Sequence, residues 1–294
     1  MNKLVCAVLV TYNRVDVLKT ALSHIRAQTL QPAYVVVVDN NSTDDTKAFL
    51  SSINDGEFIQ CLFLDKNYGY AGGIAHGMEY ALKQKNFDYF WIMDDDSFQA
   101  NDTLSVLVKN IEGSGFDILG SSGFTIKYGM KKPITAQNKI KEADFILIDG
   151  AIVKANVVSQ IGAPSEKYFM MCEDYEYCKR IKKNGFKVGV LNMDSINRLH
   201  LGGGGQFTKN TLWRGYYHSR NHMLILKQYF SLMSLFGYVV TQSKFIIAAA
   251  ILAPDRFKRV KLRFVGIWHG LRGIEGKTLD PKSLQFQYEK KRAN

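Results

Sequence analysis

The sequence is poor in the residues that cross-link or interrupt a small fold, with 4 cysteines and 5 prolines among 294 residues. No two cysteines form a CxxC pair, so neither a dithiol redox motif nor a paired-cysteine zinc site is indicated. We expect free and mostly buried thiols in a reducing compartment. A glycine-rich P-loop is absent, and no GxGxxG follows the first apolar run. Both absences disfavour a P-loop enzyme and a dinucleotide-binding domain.

Long uninterrupted apolar runs are also missing. The first run, 4–10, is short and leads directly into polar residues, so we read it as a strand and expect no secretory signal. The longest apolar stretch, 235–253, is broken by Thr-Gln-Ser-Lys at 241–244. Because a spanning helix needs about 20 mostly apolar residues, we expect no transmembrane helix.

Charge is distributed unevenly along the chain. The net charge is +11, yet 16 basic and only 4 acidic residues follow from Lys209 onward, so this tail carries +12 and residues 1–208 are close to neutral. Such an asymmetry indicates an anionic partner of the tail, either a membrane surface or a nucleic acid. The 46% of hydrophobic residues is enough for a substantial core and excludes disorder as the main state.

Short apolar runs alternate with helical patterns over the first 120 residues, which predicts a mainly parallel α/β sheet. We expect a catalytic domain at 1–210, with a nucleotide-binding half at about 1–120 and an acceptor-binding half at about 121–210, and a basic helical extension at 211–294. The predicted strands are 4–10, 34–38, 59–64, 89–93, 117–120, 145–148 and 187–191; the predicted helices lie near 16–28, 43–53, 73–85, 102–112, 156–160 and 174–184.

The strongest chemical signal is the acidic triplet, Asp94, Asp95 and Asp96, directly after an apolar strand. In open α/β sheets, ligands bind beyond the carboxyl ends of the strands. Adjacent carboxylates raise each other's pKa unless a cation lies among them, and hard oxygen ligands suit Mg²⁺ or Mn²⁺. The plainer alternative is an acidic turn that begins a helix.

A second acidic pair, Glu173 and Asp174, follows another apolar run at the start of a predicted helix. Helix capping alone would explain one of these carboxylates. The functional interpretation is a general base on a rigid helix start, which can take a proton from a sugar hydroxyl.

Two later features are weaker. His200 precedes four glycines at 202–205, so its imidazole could complete an Asp-rich metal site under a mobile loop, although a lone histidine is more often structural. The segment 213–221 mixes aromatic residues with arginines. Trp213 and Arg220 are candidate contacts for a diphosphate or an acceptor, or else belong to a helix that packs on the body.

Taken in order, these residues resemble glycosyltransferase family 2, the inverting, metal-dependent enzymes with the GT-A fold. The resemblance covers about 220 residues. Its matching segments are 10–14 after the first strand, 38–44 after the second strand and 67–73 before the third helix. The acidic triplet stands in place of the DXD motif, Glu173-Asp174 with Arg180 and Gly185 stands in place of the ED motif, and His200 matches the late metal ligand. The chain is most similar to rhamnosyltransferase-like and galactofuranosyltransferase-like members, which build bacterial surface polysaccharides such as O-antigen or capsule.

The resemblance implies a role for each matching position. Asp94, Asp96 and His200 would hold Mn²⁺ or Mg²⁺ against the donor diphosphate, and Asp174 would be the base, with Glu173 orienting it or the acceptor. Asp39 would bind the nucleobase and Asp95 the ribose or donor sugar. The remaining donor-nucleotide contacts would be Thr11, Arg14, Asn67 and Gly72. His76 departs from the polar amide of many relatives, which weakens any assignment of the donor sugar.

The implied partners are a nucleotide-sugar donor, a glycan or lipid-linked glycan acceptor, and an anionic membrane at the cytoplasmic face. UDP-galactofuranose, UDP-galactose and dTDP-rhamnose all remain open as donors. For the membrane we point to apolar residues at helical spacing in 232–251 and to five basic residues, Arg256, Lys258, Arg259, Lys261 and Arg263.

Several alternatives stay open. A sugar nucleotidyltransferase would need a glycine-rich loop after the first strand, and an aspartate-nucleophile phosphatase would need its acidic motif there; the sequence has neither. A non-catalytic glycan- or membrane-binding module derived from a transferase is the main competitor. Nucleic-acid binding is not expected, because no RNP-like or zinc-finger pattern accompanies the basic tail.

Overall fold

The computed structural model describes residues 3–128, 130–135, 139–191, 193, 196–199 and 207–287. The chain divides into two compact units. The first comprises Met1–Thr125, Lys132–Glu166 and Asp174–Leu199. The second comprises Ile126–Lys131, Lys167–Glu173 and His200–Asn294, and so includes two segments from before the boundary at 210 that the sequence suggested.

Strands and helices alternate through most of the first unit. The strands of the described residues are β1 (Val5–Thr11), β2 (Tyr34–Asp39), β3 (Ile59–Phe63), β4 (Tyr89–Asp94), β5 (Ser97–Gln99), β6 (Ile118–Gly120), β7 (Gly123–Lys127), β8 (Met130–Pro133), β9 (Ile140–Glu142), β10 (Phe145–Ile146), β11 (Ile152–Lys154), β12 (Val188–Leu191) and β13 (Ile196–Arg198). The α-helices are α1 (Val15–Arg26), α2 (Thr46–Ile53), α3 (Gly69–Gln84), α4 (Thr103–Ile111), α5 (Ala155–Ile161), α6 (Glu173–Lys183), α7 (Leu212–Gln228), α8 (Leu232–Leu252) and α9 (Arg256–Leu271).

An eight-stranded sheet organises the first unit, in the order β3-β2-β1-β4-β11-β6-β12-β9. The pairs β2–β3, β1–β2, β1–β4 and β6–β12 are parallel, whereas β11 and β9 run antiparallel to their neighbours. The predicted fold class, a mainly parallel sheet flanked by helices with helices at the C-terminal end, is confirmed. Two small sheets, β10-β7-β8 and β13-β5, complete the strand pairing of the described residues.

The apolar strand sequences follow from burial of the sheet on both faces. Every residue of β1 and β2 is buried, and β4 is buried up to its last residue. A parallel sheet covered by helices on both sides needs apolar side chains at consecutive positions rather than at alternate ones. The registers place the last residues of these three strands side by side, with Thr11 opposite Asp39 and Val10 opposite Asp94. Polar residues that follow the strands therefore meet at one edge.

The second unit is built on the pair α7 and α9. A Cβ atom at Gly270 would lie 2.6 Å from the carbonyl oxygen of Arg220, and one at Gly266 would collide with the carbonyl of Tyr216. Glycine one turn apart on α9 therefore lets the two helix backbones approach closely. The Tyr216 hydroxyl, at 2.7 Å from His269 Nδ1, lies in the same buried contact.

Helix α8 exposes much of its apolar surface. It is the one helix of the described residues that is long and apolar enough to cross a membrane by length and composition, and less than a quarter of its most apolar window is buried. Its exposed apolar side chains are Leu232, Met233, Leu235, Phe236, Val239, Ile247, Ile251 and Leu252.

The basic residues of α9 do not all face outward, which corrects the expected five-residue cluster. Arg259 is buried and donates to the carbonyl oxygen of Thr208 at 2.6 Å, and Arg263 is half-buried. Arg256, Lys258 and Lys261 are exposed. The helix twist explains the division, because residues 259 and 263 are four apart and so share one face.

Candidate active site

The acidic triplet lies where β4 ends. Asp94 is the last residue of the strand, and Asp95 and Asp96 form the turn into β5. One potential ligand oxygen from each of the three carboxylates lies within 4.8 Å of the others. Burial, and then the charges of Asp95 and Asp96, raise the pKa of Asp94 well above its ordinary value. Buried carboxylates that repel one another in this way are the donor set that a hard divalent cation stabilises.

The central carboxylate of the triplet is held from the end of β1. Asp95 is 1% exposed and accepts hydrogen bonds from Thr11 Oγ1 at 2.7 Å and from an Arg14 guanidinium nitrogen at 2.8 Å. Burial raises the pKa of Asp95, while the charge of Arg14 opposes that rise. The structure therefore brings together three residues predicted at the donor nucleotide, with Asp95 anchored by the other two.

Asp149, which the sequence did not single out, anchors the triplet from the other side. Its carboxylate accepts the backbone N–H of Asp94 at 3.0 Å, the Ser97 hydroxyl at 2.5 Å and Arg198 Nε at 2.8 Å. An isolated aspartate in a loop carries no sequence signal that could have revealed this role. His200, two residues beyond Arg198, and the glycines at 202–205 lie outside the described residues.

The residues that we expect to contact the nucleotide make hydrogen bonds at the end of β2. Asp39 is buried, and its Oδ1 accepts the N–H of Ser42 at 3.0 Å. Asn40 donates to the carbonyl of Gly69 at 2.8 Å, and Asn67 accepts the N–H of Gly69 at 2.8 Å. These bonds fix the loop that begins α3 against the end of β2.

Close packing accounts for the glycines at the start of α3. A Cβ atom at Gly72 would lie 2.6 Å from Tyr68 Cβ, and one at Gly73 would lie 2.7 Å from a Val10 methyl carbon. Gly72 therefore has a packing role in addition to its predicted place among the donor contacts. One turn further, His76 Nε2 lies 3.5 Å from the Glu166 carboxylate.

The second acidic pair starts α6, as predicted. Asp174 Oδ1 accepts the backbone N–H of Ile148 at 3.0 Å. Ile148 is followed directly by Asp149, which binds the backbone of Asp94. The dipeptide 148–149 thus links the two acidic sites, so the candidate base and the candidate cation ligands belong to one neighbourhood of the first unit.

The chain leading into α6 is strained. Phe169, Met171 and Cys172 have φ angles of 60°, 73° and 68°, in the left-handed region that side chains with a Cβ rarely adopt. Each such residue costs on the order of 1–3 kcal/mol, and the cost persists only where surrounding contacts enforce it. Strained backbone directly before a candidate catalytic pair is consistent with a precisely positioned segment.

Two neighbouring residues of α7 enforce this conformation. The side-chain amide of Asn221 donates to the carbonyl oxygens of Tyr168, Met170 and Met171 at 2.8, 2.8 and 2.7 Å. Arg220 donates to the Tyr168 carbonyl at 3.1 Å. We call Arg220 and Asn221 the loop clamp; both are fully buried. Asn221 was not anticipated, because one asparagine within a helix carries no distinguishing pattern.

The loop clamp changes the interpretation of Arg220. The sequence offered it as a contact for a diphosphate or an acceptor, but its guanidinium is committed to Asn221, to Thr278 and to backbone carbonyls. We therefore infer a structural role for Arg220. Trp213, the other candidate of this segment, is buried and donates to the Asn210 carbonyl at 2.8 Å.

Comparison with protein families supplies an independent finding. Residues 6–162 match the family model described as glycosyl transferase family 2. That range is more than half of the chain and contains β1 from its second residue, β2, β3 and β4 with the acidic triplet.

Related sequences carry glycosyltransferase names. The chain is 26% identical over 212 residues to galactofuranosyltransferase GlfT1 of Mycolicibacterium smegmatis, covering 64% of this chain and 68% of the relative. It is 26% identical over 298 residues to dTDP-rhamnosyl transferase RfbF of Shigella flexneri, covering 94% and 98%.

Solved structures share the fold. TarS 1–349 of S. aureus superposes with a TM-score of 0.60 at 14% identity, covering 91% of this chain and 80% of that one. The mannosyltransferase PcManGT of Pyrobaculum calidifontis, solved with GDP-Man and Mn²⁺, gives a TM-score of 0.58 at 14% identity, covering 93% and 87%.

Proposed function

The chain belongs to glycosyltransferase family 2 and is a glycosyltransferase. From this premise we propose that it is an inverting enzyme, which transfers a sugar from a nucleoside-diphosphate donor to a hydroxyl group of a growing surface glycan. The donor belongs to the class of UDP-galactofuranose, UDP-galactose or dTDP-rhamnose. The names of the relatives from Mycolicibacterium and Shigella support galactofuranose and rhamnose as candidates.

One observation carries the proposal: three carboxylates, two of them buried, converge at the carboxyl end of β4, and burial with mutual repulsion raises the pKa of Asp94. Asp94 and Asp96, with His200, would hold Mn²⁺ or Mg²⁺. When bound there, the cation stabilises the negative charge that develops on the departing nucleoside diphosphate.

The donor nucleotide is proposed to bind across the ends of β1 and β2. Asp39 accepts a hydrogen bond from the nucleobase, and Asn67 contacts the nucleotide from the loop before α3. The hydrogen bonds from Thr11 and Arg14 hold Asp95 in a fixed orientation, so its carboxylate can orient the ribose or donor sugar without rearrangement. Such preorganisation lowers the entropic cost of binding in a reactive geometry.

Asp174 is the proposed base. It takes the proton of the acceptor hydroxyl as that oxygen bonds to the anomeric carbon and the bond from this carbon to the diphosphate oxygen breaks. Attack opposite the leaving group inverts the anomeric centre. Glu173 orients the acceptor beside it. The hydrogen bond from Ile148 to Asp174 and the strained loop before α6 support a base held in one position.

The second unit is proposed to dock on an anionic membrane at the cytoplasmic face, where a lipid-linked acceptor would lie. Exposed apolar residues on α8 and the exposed cations Arg256, Lys258 and Lys261 on α9 support this role. Basic residues next to an anionic leaflet contribute about 1 kcal/mol each.

The function is tested by a panel of nucleotide sugars incubated with the protein, with Mn²⁺ or with EDTA. We expect one donor to release its nucleoside diphosphate in Mn²⁺ and not in EDTA, because the leaving group needs the cation. If no donor in the panel is turned over while glycans still bind, the chain is a binding module derived from a transferase.

A further inference from the structure

Arg14 stands at a position where a short polar side chain is usual. It is the N-cap residue of α1, and its side chain does not cap the helix. Serine, threonine, aspartate and asparagine are favoured at an N-cap, and a positive charge there opposes the helix dipole. An arginine is therefore locally unfavourable at this position, and its side chain gains its stabilising interactions outside the helix.

The turn before α1 is held by hydrogen bonds to the loop after β2. Asn13 has a φ angle of 54°, in the left-handed region that asparagine adopts more readily than most residues. Its backbone N–H donates to Ser42 Oγ at 2.9 Å, and its side-chain oxygen accepts the N–H of Thr43 at 2.6 Å. The side chain of Arg14 therefore approaches the acidic triplet from a backbone that is fixed in place.

The Arg14 guanidinium contacts two carboxylates of the acidic triplet. One terminal nitrogen lies 2.8 Å from Asp95 Oδ1 and 3.8 Å from Asp96 Oδ2. Burial lowers the pKa of Arg14, but the charge of Asp95 and the hydrogen bond to it outweigh that effect. The charges of Asp94 and Asp96 raise the pKa further. Arg14 is thus a permanent cation that interacts with all three carboxylates.

The two contacts have different consequences. Asp95 is also held by Thr11, so the hydrogen bond to Asp95 keeps the guanidinium in place. Asp96 is one of the proposed cation ligands, and the same nitrogen lies 3.8 Å from its Oδ2. Like charges repel strongly at such distances in a partly buried site, because little water screens them. A divalent cation at Asp96 therefore binds against the charge of Arg14.

A diphosphate group reverses this balance. Its negatively charged oxygens attract the divalent cation, and they also attract a guanidinium, which binds phosphate oxygens through charge-assisted hydrogen bonds. About one third of the Arg14 side chain is exposed, so a ligand can reach it. The repulsion between Arg14 and the divalent cation is therefore offset when an anion binds beside both of them.

We propose that Arg14 couples the divalent cation to the donor diphosphate: it weakens binding of the cation alone to the acidic triplet and strengthens binding of the cation together with the diphosphate. The inference rests on the proposed function and gives Arg14 a role beyond holding Asp95. Because such coupling is reciprocal, the cation and the nucleotide each raise the affinity for the other. The triplet then retains the cation weakly after transfer, so the nucleoside diphosphate leaves together with its cation.

The test is calorimetry of MnCl₂ alone, and of UDP and dTDP in saturating MnCl₂, with the full chain. Arg14→Gln should bind Mn²⁺ alone at least about fivefold more tightly than wild type does, because the repelling charge is gone. It should bind the nucleotide in Mn²⁺ at least about tenfold more weakly. Arg14→Lys keeps the charge and should bind Mn²⁺ alone as wild type does. Lys19→Gln, which removes an exposed cation of α1, is the matched control and should change neither affinity.

Thr11→Val separates coupling from a structural role. This variant removes the other hydrogen bond to Asp95 without a change of charge, so it should not raise the affinity for Mn²⁺ alone. If Arg14 only holds Asp95, Arg14→Gln should resemble Thr11→Val. Thermal unfolding is a second readout: MnCl₂ without nucleotide should raise the unfolding temperature of Arg14→Gln more than that of wild type.

Equal or weaker binding of Mn²⁺ alone by Arg14→Gln would overturn the proposal. Tighter binding of Mn²⁺ alone with an unchanged affinity for the nucleotide would overturn the coupling as well. Failure of every nucleotide sugar to be turned over by the wild-type protein would instead contradict the transferase function, while the Mn²⁺ and nucleotide affinities of Arg14→Gln would still decide whether Arg14 couples the two ligands.

Discussion

At the scale of single residues, the proposed chemistry depends most on Asp174. Its Oδ1 accepts the N–H of Ile148 at 3.0 Å, and an asparagine side chain can accept the same hydrogen bond. An amide cannot take a proton, however. Asp174→Asn should therefore preserve the fold and donor binding while turnover falls about 10² to 10⁴-fold, which corresponds to roughly 3 to 5 kcal/mol of barrier.

The measurement is kcat with the preferred donor and acceptor, together with nucleotide affinity by calorimetry. Asp16→Asn, which alters an exposed aspartate on α1, is the matched control and should behave as wild type. Normal turnover by Asp174→Asn would show that another group accepts the proton.

His218 predicts how stability depends on pH. Burial, and then the charges of His222, Arg263 and Lys131, lower its pKa well below the ordinary value of 6.5. Below about pH 6.5 His218 is therefore protonated in the unfolded chain but stays neutral in the folded chain. The stabilisation is present above that pH and is lost as the pH falls towards the folded-state pKa.

We expect the second unit to lose roughly 1 kcal/mol between pH 7 and pH 5.5 from this residue alone. Thermal unfolding in phosphate-free buffers measures the loss, and His218→Phe, which keeps a ring and removes the titration, should flatten the profile. An unchanged pH profile in His218→Phe would place the acid sensitivity elsewhere.

At the scale of elements, the loop clamp joins α7 to the strained residues 168–171, which precede α6 in the chain. Asn221→Ala would remove the amide donor of the Met170 and Met171 carbonyls, whereas the Tyr168 carbonyl would keep its hydrogen bond from Arg220. Since an unsatisfied buried group costs about 1–3 kcal/mol, we expect a destabilisation of roughly 2–4 kcal/mol. We also expect kcat to fall more than nucleotide affinity, because the loosened segment carries Glu173 and Asp174.

Asn110→Ala is the control for this prediction, since among the described residues Asn110 donates only to the carbonyl one turn earlier on α4. The readouts are the unfolding temperature and the separate values of kcat and nucleotide affinity. A variant that is destabilised but turns over normally would make the loop clamp purely structural.

The sequence predicts a strand or helix well where its pattern of apolar residues matches its burial in the folded protein. β1, β2 and β4 are unbroken apolar runs because helices cover both faces of the sheet. Polar residues at their ends mark the edge of the sheet at which Asp39 and Asp94 lie, on either side of β1. β5 and β13 were not predicted, because each has three residues and is defined by pairing with the other.

The same reasoning separates the anticipated site residues from the missed ones. The acidic triplet and Glu173-Asp174 are recognisable because acidic clusters directly after apolar runs are costly without a function. Asp149 and Asn221 act through contacts with Asp94 and with Tyr168 that are distant in sequence. For Arg220 the sequence left two interpretations open, a ligand contact or a packing residue, because it cannot tell whether an arginine on a helix faces solvent or the interior.

At the scale of the whole molecule, the tail's charge of +12 and its exposed apolar helix α8 together predict binding to anionic membranes. Replacing Arg256, Lys258 and Lys261 with Gln should weaken binding to anionic vesicles roughly 100-fold at low salt, at about 1 kcal/mol for each residue. High salt should weaken wild-type binding in the same direction, because it screens exposed charges.

The control variant carries the same change of net charge in the first unit, at the exposed residues Lys19, Lys47 and Lys83. Sedimentation with vesicles is the readout. If both triple variants lose binding equally, net charge rather than the surface of α9 is responsible; if neither binds less than wild type, the membrane role is wrong.

The central claim is that the acidic triplet binds a cation that holds the donor diphosphate, and Asp96→Ala tests it most directly. Calorimetry of UDP and dTDP with wild-type protein should show binding in Mn²⁺ and none in EDTA, because the diphosphate cannot approach the carboxylates without the cation. In Asp96→Ala, which removes one of three repelling carboxylates and should fold normally, nucleotide binding in Mn²⁺ should be lost. If Asp96→Ala binds the nucleotide in Mn²⁺ as tightly as wild type does, the triplet is only an acidic turn and the account is wrong.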